Sequence, residues 1–510
     1  MKFSPPTLPV TLGSRRELFI DDALIEHLTG GARRQLHHPQ PREVVLHFDA
    51  PEEGTGCGYC SLFQDGDRYR LYYKGFALKV VPGKIVNEDV AHRFTCYAES
   101  TDGVHWTKPE LGLVDYLGSR ANNIVLNTGR HGTLDVDAAH PAIFKDLNPA
   151  CPADARYKGM FRSDDVHGLV MMQSPDGWQW TPLHDEPVIT DGAFDSQNLA
   201  FWDTVRGEYR AYWRCFPGGT AAKGNWHPEG PRSIRTATSP DLLHWSPAHD
   251  LTYVGSPAPE ELYVSQIKPY HRAPHLFIGF PARYVERPWG ASMHALPDHA
   301  HREQRSAAQN RYGTAITESL LMCSRDGVEF TRWAEGFLRP GPERTGTWNY
   351  GHQYLAWHLV ETPSSLAPDA PPELSLYAVE NYWTGHAGGS SLRRYTLRLD
   401  GFVSLQAPMS GGECVTRPVT FDGGELRLNF ATSAAGTVRV ELQSDTGAPL
   451  PGFGLEACEP IFGDAIDRRV VWSGNPDLSR HAGQPLRLRL VLQDADIYSF
   501  RFAHPGSPPF

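Results

Sequence analysis

Apolar and polar positions alternate along this 510-residue chain in short runs. The clearest are YRLYYKGF (69–76), RFTCYAES (93–100), GLVMMQS (168–174), EYRAYWR (208–214), HLFIGF (275–280) and LSLYAVENY (374–382). Each is rich in aromatic and β-branched residues, the pattern of half-buried β-strands. Apolar residues at helical spacing are scarce. The 48 glycines and 42 prolines supply the many turns such a chain needs. The pattern predicts an all-β protein.

A recurring turn organises the strands. It reads Ser100-Thr101-Asp102-Gly103-Val104-His105-Trp106, then Ser174-Pro175-Asp176-Gly177-Trp178-Gln179-Trp180. It returns as Ser239-Pro240-Asp241-Leu242-Leu243-His244-Trp245 and as Ser324-Arg325-Asp326-Gly327-Val328-Glu329-Phe330, with a fainter copy at Asp400-Gly401-Phe402. The aspartates are 74, 65, 85 and 74 residues apart. Asp-Gly closes a tight turn between strands, and the aromatic residue that follows packs on a neighbouring sheet. Five units of several antiparallel strands predict a five-bladed β-propeller. These turn residues build the blades and carry no chemistry.

After about residue 406 the turn disappears, while alternating strands and Gly-rich turns continue to RLRLVLQDADIYSFRF (487–502). This predicts a propeller over residues 1–405 and a C-terminal β-sandwich over 406–510. The segment 16–26 is a candidate for the strand that closes the ring against the last blade.

Lysine and arginine total 48 against 59 aspartates and glutamates, a formal charge of −11, which argues against nucleic acid as a partner. No run approaches the roughly 20 apolar residues that span a bilayer, so no membrane is expected. The N-terminal stretch lacks an apolar leader core, so a cytoplasmic location is expected. Eight scattered cysteines read as reduced core residues; Cys57-Gly58-Tyr59-Cys60 is best taken as small residues on a strand. Histidines such as His37-His38 and His299-Ala300-His301 have no second ligands at a metal-binding spacing, so no metal and no cofactor are expected. Acids gathered on the axis would suit a structural Ca²⁺. Oligomeric state is not legible.

The segments ELFIDDALIEHL, YAESTDGVHWTKPELGLVDY, FDSQNLAFWD, APHLFIGFPARY, LRRYTLRLDGFVSL and DADIYSFRF resemble a group of bacterial proteins related to glycoside hydrolase family 32, over residues 16 to 505. The resemblance implies a five-bladed propeller with a carboxylate-lined pocket on its axis, a C-terminal β-sandwich, and glycosidase activity on a carbohydrate. The family's motifs are altered here. Its W-M-N-D-P-N-G is replaced by Thr55-Gly56-Cys57-Gly58-Tyr59, without an acid. Its R-D-P becomes Ala139-His140-Pro141, and its E-C is absent near Asp195-Ser196-Gln197-Asn198. Glu261-Leu262-Tyr263-Val264-Ser265-Gln266 is similar to its D-x-Y-A-x-Q.

Glycosidic cleavage uses two carboxyl groups flanking the scissile bond. Acids that precede the first strand of each blade are the candidates, and Asp195, Glu261 and Glu53 are the expected catalytic set. Asp195 leads because an acid enters an otherwise apolar strand, where burial without a partner is costly. Asp137, Gln197, Asn198, Tyr263, Arg283, Trp348, His352 and Glu380 are expected to bind substrate, Trp348 through its apolar face. The expected function is an exo-acting glycosidase; the alternatives are a non-catalytic carbohydrate-binding propeller and a protein-interaction propeller. The segment 285–312, polar and without strand pattern, is expected to form a lid or an oligomer contact.

Overall fold

A computed structural model describes residues 8–81, 83–87, 92–163, 167–220, 228–255, 260–385 and 389–508. The alternating segments form five successive sheets, antiparallel except for one parallel edge strand in blade four, each one blade of a propeller. Blade one is built on Gly58–Asp65, Arg68–Phe76 and Arg93–Ser100. Blade two is built on Leu134–Lys145, Tyr157–Ser163 and Gly168–Ser174. Blade three is built on Leu199–Asp203, Glu208–Cys215 and Ser233–Ser239. Blade four has Lys268–Tyr270, Ala273–Gly279, Met322–Ser324 and Glu329–Arg332. Blade five has Tyr354–Leu355, Glu373–Glu380 and Ser390–Arg398.

Ring closure differs from the expectation. The outer strand of blade five is Gln40–Phe48, which pairs antiparallel with Ser390–Arg398. The segment 16–26 goes elsewhere. Arg16–Leu18 pairs with Leu486–Ala503, and Ile25–Gly30 pairs with Gly412–Thr416. The physical reason is its apolar residues: Phe19 and Leu24 are buried in the C-terminal core.

The C-terminal unit is a β-sandwich. Glu425–Ser444 and Leu486–Ala503 run through both layers, pairing with each other before and after a break between Thr432 and Thr437. Strands that change layer at such a break make the corners of a sandwich. Asp400, in the faintest copy of the turn, ties the sandwich to the propeller. It accepts hydrogen bonds from Tyr270 (2.8 Å) and Arg272 (2.8 Å) of blade four, and from Ser499 (2.6 Å) of the sandwich.

The repeated turn has a fixed internal chemistry. In the first copy, Asp102 Oδ1 accepts from the Val104 and His105 N–H groups, both at 2.8 Å. Ser100 Oγ accepts from the Gly103 N–H at 2.9 Å. Three turns are stitched to an adjacent blade by a tyrosine or arginine of its second strand. Tyr377 donates to the Gly103 carbonyl (2.6 Å), Arg70 to the Asp176 carbonyl (2.7 Å), and Tyr212 to the Gly327 carbonyl (2.9 Å).

The axis is closed by two amides. Gln197 Nε2 donates to the carbonyls of Tyr59 and Pro141, each at 3.0 Å. Gln266 Nε2 donates to Gln197 Oε1 (2.8 Å) and to the Leu355 carbonyl (2.6 Å). All five blades thus meet in one buried hydrogen-bonded plug. Its low-dielectric setting makes each of these bonds costly to leave unmade. Among the described residues no helix is long and apolar enough to cross a membrane.

Candidate active site

A cavity of about 570 Å³ opens on the axis, lined by every blade. Blade one gives Tyr59, Lys74, Phe76 and Arg93; blade two gives His140 and Arg162; blade three gives Asp195, Arg214 and Phe216. Arg232 comes from the entry to the third strand of blade three, Tyr263 from the approach to blade four, and Tyr350, Tyr382 and Trp383 from blade five. A second cavity of about 300 Å³ is lined by Gln266, Lys268 and His358. Gln266 belongs to the amide plug, and Tyr59 lends the plug its carbonyl, so the plug separates the two spaces.

Local irregularities aim the key side chains. Register slips between Gly58 and Ser61, where Tyr59 has φ of 47°. A larger slip between Asp137 and Ala142 carries His140 out of the ladder, next to Pro141, which has no N–H to give. Trp383, at φ of 53°, is likewise turned by a positive-φ bend. Such backbone is costly for non-glycine residues and persists where the surroundings impose it.

Asp195 lines the cavity, and its carboxylate is 62% exposed there. His140 Nε2 lies 3.2 Å from it and Arg162 3.4 Å. The other ring nitrogen of His140 is 3.1 Å from Asp137, which Arg162 also contacts at 3.1 Å. Asp137 is buried behind His140. Burial opposes the charge on both carboxylates, but His140 and the nearby arginines prevail and hold both well below the usual carboxylate range. Both therefore stay ionised.

The other expected acids lie apart from the cavity lining. Glu53 is buried, accepting from Tyr73 (2.5 Å) and Lys108 (2.7 Å); burial pushes its carboxyl up against the pull of Lys108. Glu261 sits behind the lining, where Arg232 bonds it at 2.7 Å. Glu380 is bound by Arg344 and, at 2.8 Å, by Arg393. Gln197 and Asn198 are buried structural amides, Asn198 accepting from the Arg214 N–H at 3.1 Å. Arg283 pairs with Glu260 at 2.8 Å and with Glu318. The Trp348 indole N–H donates to the Gly341 carbonyl at 2.9 Å, and the Trp348 backbone N–H donates to His352 Nδ1 at 3.1 Å. Of the expected binding residues, Tyr263 lines the cavity, and its hydroxyl accepts from Tyr350 at 2.9 Å.

The pocket is thus rich in cations, where a carboxylate-lined one was implied. Six lysine and arginine side chains line it: Lys74, Arg93, Arg162, Arg214, Arg232 and Arg311. Lys74 packs on aromatic faces, 4.2 Å from the Phe76 ring centre and 5.1 Å from that of Tyr59, with Tyr382 Oη 3.5 Å away. Burial lowers the lysine to about 8, against the opposing pull of Asp137 and Asp195. The signal for these cations lay in the repeat. Tyr69-x₄-Lys74, Tyr157-x₄-Arg162 and Tyr209-x₄-Arg214 place a cation at the same point of the second strand in three blades.

The segment after blade four's second strand forms helices Ala291–Ala295, His299–Ala308 and Asn310–Thr314. It supplies Gln309, Arg311 and Tyr312 to the cavity. Arg302 donates to the carbonyls of Trp348 and Thr347, both at 2.9 Å, and His301 approaches the Thr384 carbonyl at 2.8 Å. The segment is bolted to blade five as a wall. His294, His299 and Glu303 bring ligating atoms within 4.8 Å on this segment, but none of them lines the cavity.

No family model matches the chain, and no curated protein matches it. Solved structures do. One is a thermostable family-43 glycoside hydrolase, 12% identical, covering 70% of this chain and 95% of that one at a TM-score of 0.41. Another is an exo-beta-1,3-galactanase from Phanerochaete chrysosporium, 10% identical over 91% and 99%, TM-score 0.39. A third is a family 117 glycoside hydrolase from Zobellia galactanivorans, 13% identical over 72% and 90%, TM-score 0.36.

Proposed function

We propose that the protein is an exo-acting glycoside hydrolase whose reaction takes place at Asp195. The observation that carries this reading is one ionised, solvent-open carboxylate at the centre of a pocket to which all five blades contribute. Aromatic rings of Tyr59, Tyr263, Tyr382 and Trp383 offer faces for the apolar side of a sugar ring. The amide plug beneath favours a chain end over a chain interior.

The environment of Asp195 sorts its role. A carboxyl held ionised by His140 and arginines is a poor proton donor, so it serves as nucleophile or as base toward water. His140, braced by Asp137, positions it. Lys74, lowered to about 8, carries a proton at neutral pH and releases it readily, as a general acid should. The glycosidic C–O bond breaks as Asp195, or the water it deprotonates, bonds to the anomeric carbon. The departing oxygen takes the Lys74 proton. In the direct route the proton that Asp195 received from water then passes to the neutral Lys74; in the covalent route a water, losing its proton to the neutral Lys74, displaces Asp195 from the anomeric carbon, and either way both groups return to their starting charge.

The test is Asp195→Asn assayed on aryl glycosides and oligosaccharides. Turnover is expected to fall by about 100- to 10,000-fold with unchanged thermal melting. Equal turnover in the variant overturns the assignment. A second reading, a carbohydrate-binding propeller without hydrolysis, draws on the engagement of Glu53 and Glu261 away from the lining. Calorimetric sugar binding without any product release would favour it.

A further inference from the structure

The cavity's charge balance says more about its ligand than its fold does. Among the described residues, Lys74, Arg214 and Arg311 have no carboxylate within ion-pair distance, although each lines the cavity. The groups in direct contact with them are neutral. Arg214 Nε donates to the Ala193 carbonyl at 3.0 Å, and its guanidinium stands 5.3 Å from the Tyr263 ring centre. Arg311 lies 4.9 Å from the ring centre of Tyr312. Arg232, the third guanidinium of this side, stands 5.5 Å from Tyr263 and 4.5 Å from Tyr284. Tyr284 is also a neighbour of Arg311.

Three guanidinium groups thus cluster around two shared tyrosine rings, with Glu261 as their one bonded carboxylate among the described residues. A buried cation without a counter-charge costs several kcal/mol. Arg214 is almost wholly buried. A chain with a net charge of −11 has acids to spare, yet among the described residues none bonds Arg214 or Arg311 directly; Arg214 feels Asp195 only through space, and Asp195 is already shared with His140 and Arg162. Arginine forks suit planar or tetrahedral oxyanions, which they bind through two parallel N–H donors.

We infer that the sugar unit entering this cavity carries an anionic substituent, a carboxylate or a sulfate ester, held by Arg214, Arg232 and Arg311 on the blade three–blade four side. The inference rests on the glycosidase reading and names the substrate class for the same pocket. The anion neutralises the arginine cluster, and its ring then spans toward Asp195.

The experiment uses the full chain and matched sugar pairs. Galacturonate and glucuronate are compared with galactose and glucose, and galactose 6-sulfate forms the second arm. Binding is read by calorimetry, and turnover by release of p-nitrophenol from the corresponding aryl glycosides. Binding of at least one anionic member should exceed that of its neutral partner about tenfold or more and weaken with added salt. The arm that binds tells carboxylate from sulfate. In Arg311→Gln the ratio of anionic to neutral binding should shrink about tenfold. Arg214→Gln is buried and is read only if its melting temperature is preserved; Arg311→Gln, half-buried, keeps the test open otherwise.

Equal binding of anionic and neutral partners overturns the inference, as does a preference that survives Arg311→Gln unchanged. The two readings fail separately. Anionic sugars bound but never cleaved would remove the hydrolase and leave the anion site. Asp195-dependent cleavage of neutral glycosides alone would do the reverse.

Discussion

At the scale of single residues, the site works through unequal treatment of similar groups. Asp195, Glu53 and Glu261 are all acids near strand beginnings, yet their surroundings separate them. Glu53 is sealed with Lys108 and Tyr73, Glu261 is bonded by Arg232, and Asp195 is left open to the cavity. Lys74 is treated the opposite way to an ordinary surface lysine. Rings of Phe76, Tyr59 and Tyr382 replace its water, and burial brings it down to about 8. If its proton is needed in the free enzyme, kcat/KM falls as pH rises through about 8, because the cationic form is lost there. The pH profile checks this. The residual activity of Lys74→Gln should no longer bend near that pH. A wild-type profile that stays level from pH 7 to well above 8 counts against the role.

At the scale of elements, the repeated turn is the unit that sets blades against each other. Gly177 has φ of 86°, and a Cβ there would meet Tyr72 Oη at 2.3 Å. Gly177→Ala therefore combines backbone strain with a clash against a buried ring, and about 2–4 kcal/mol of stability should be lost. Gly66 has a similar φ of 66° but open space around its added methyl. Gly66→Ala should cost only the backbone component, about 1 kcal/mol. Urea denaturation of the two variants compares the terms, and equal losses would show that the blade-to-blade contact contributes nothing. Leu242 takes the glycine position in the third turn at φ of 69°. Its side chain is buried among Phe201, Tyr212 and Ile234, so apolar burial offsets the strain there.

At the scale of the whole molecule, the ring brings buried histidines to places where they must stay neutral. Burial lowers His352 to about 4, and burial with Lys268 nearby lowers His358 well below its ordinary value. The sign follows from linkage. Below about pH 6.5 the unfolded chain binds protons at these rings that the folded chain refuses, so stability is full above that pH and declines as pH falls toward 4. For His352 the ceiling is about 3 kcal/mol. The carboxylates depressed by ion pairs, such as Glu17 at about 2, act only at lower pH. The urea midpoint should therefore fall between pH 7 and pH 5. His352→Asn should show a shallower decline, even if it starts from lower stability. An unchanged slope in that variant would place the acid sensitivity elsewhere.

Strand alternation, the serine–aspartate turn and the count of five units were all written locally. Each depends on contacts within a few residues, so a linear reading could find them. The blade pattern also carried the cations at Lys74, Arg162 and Arg214. Ring closure by Gln40–Phe48, the retreat of Gln197 and Gln266 into an axial plug, and the isolation of Asp195 from the other acids were settled only by packing. Charge environment is a through-space property: which counter-ion reaches which carboxylate depends on residues tens to hundreds of positions away, brought together when the sheets close into a ring.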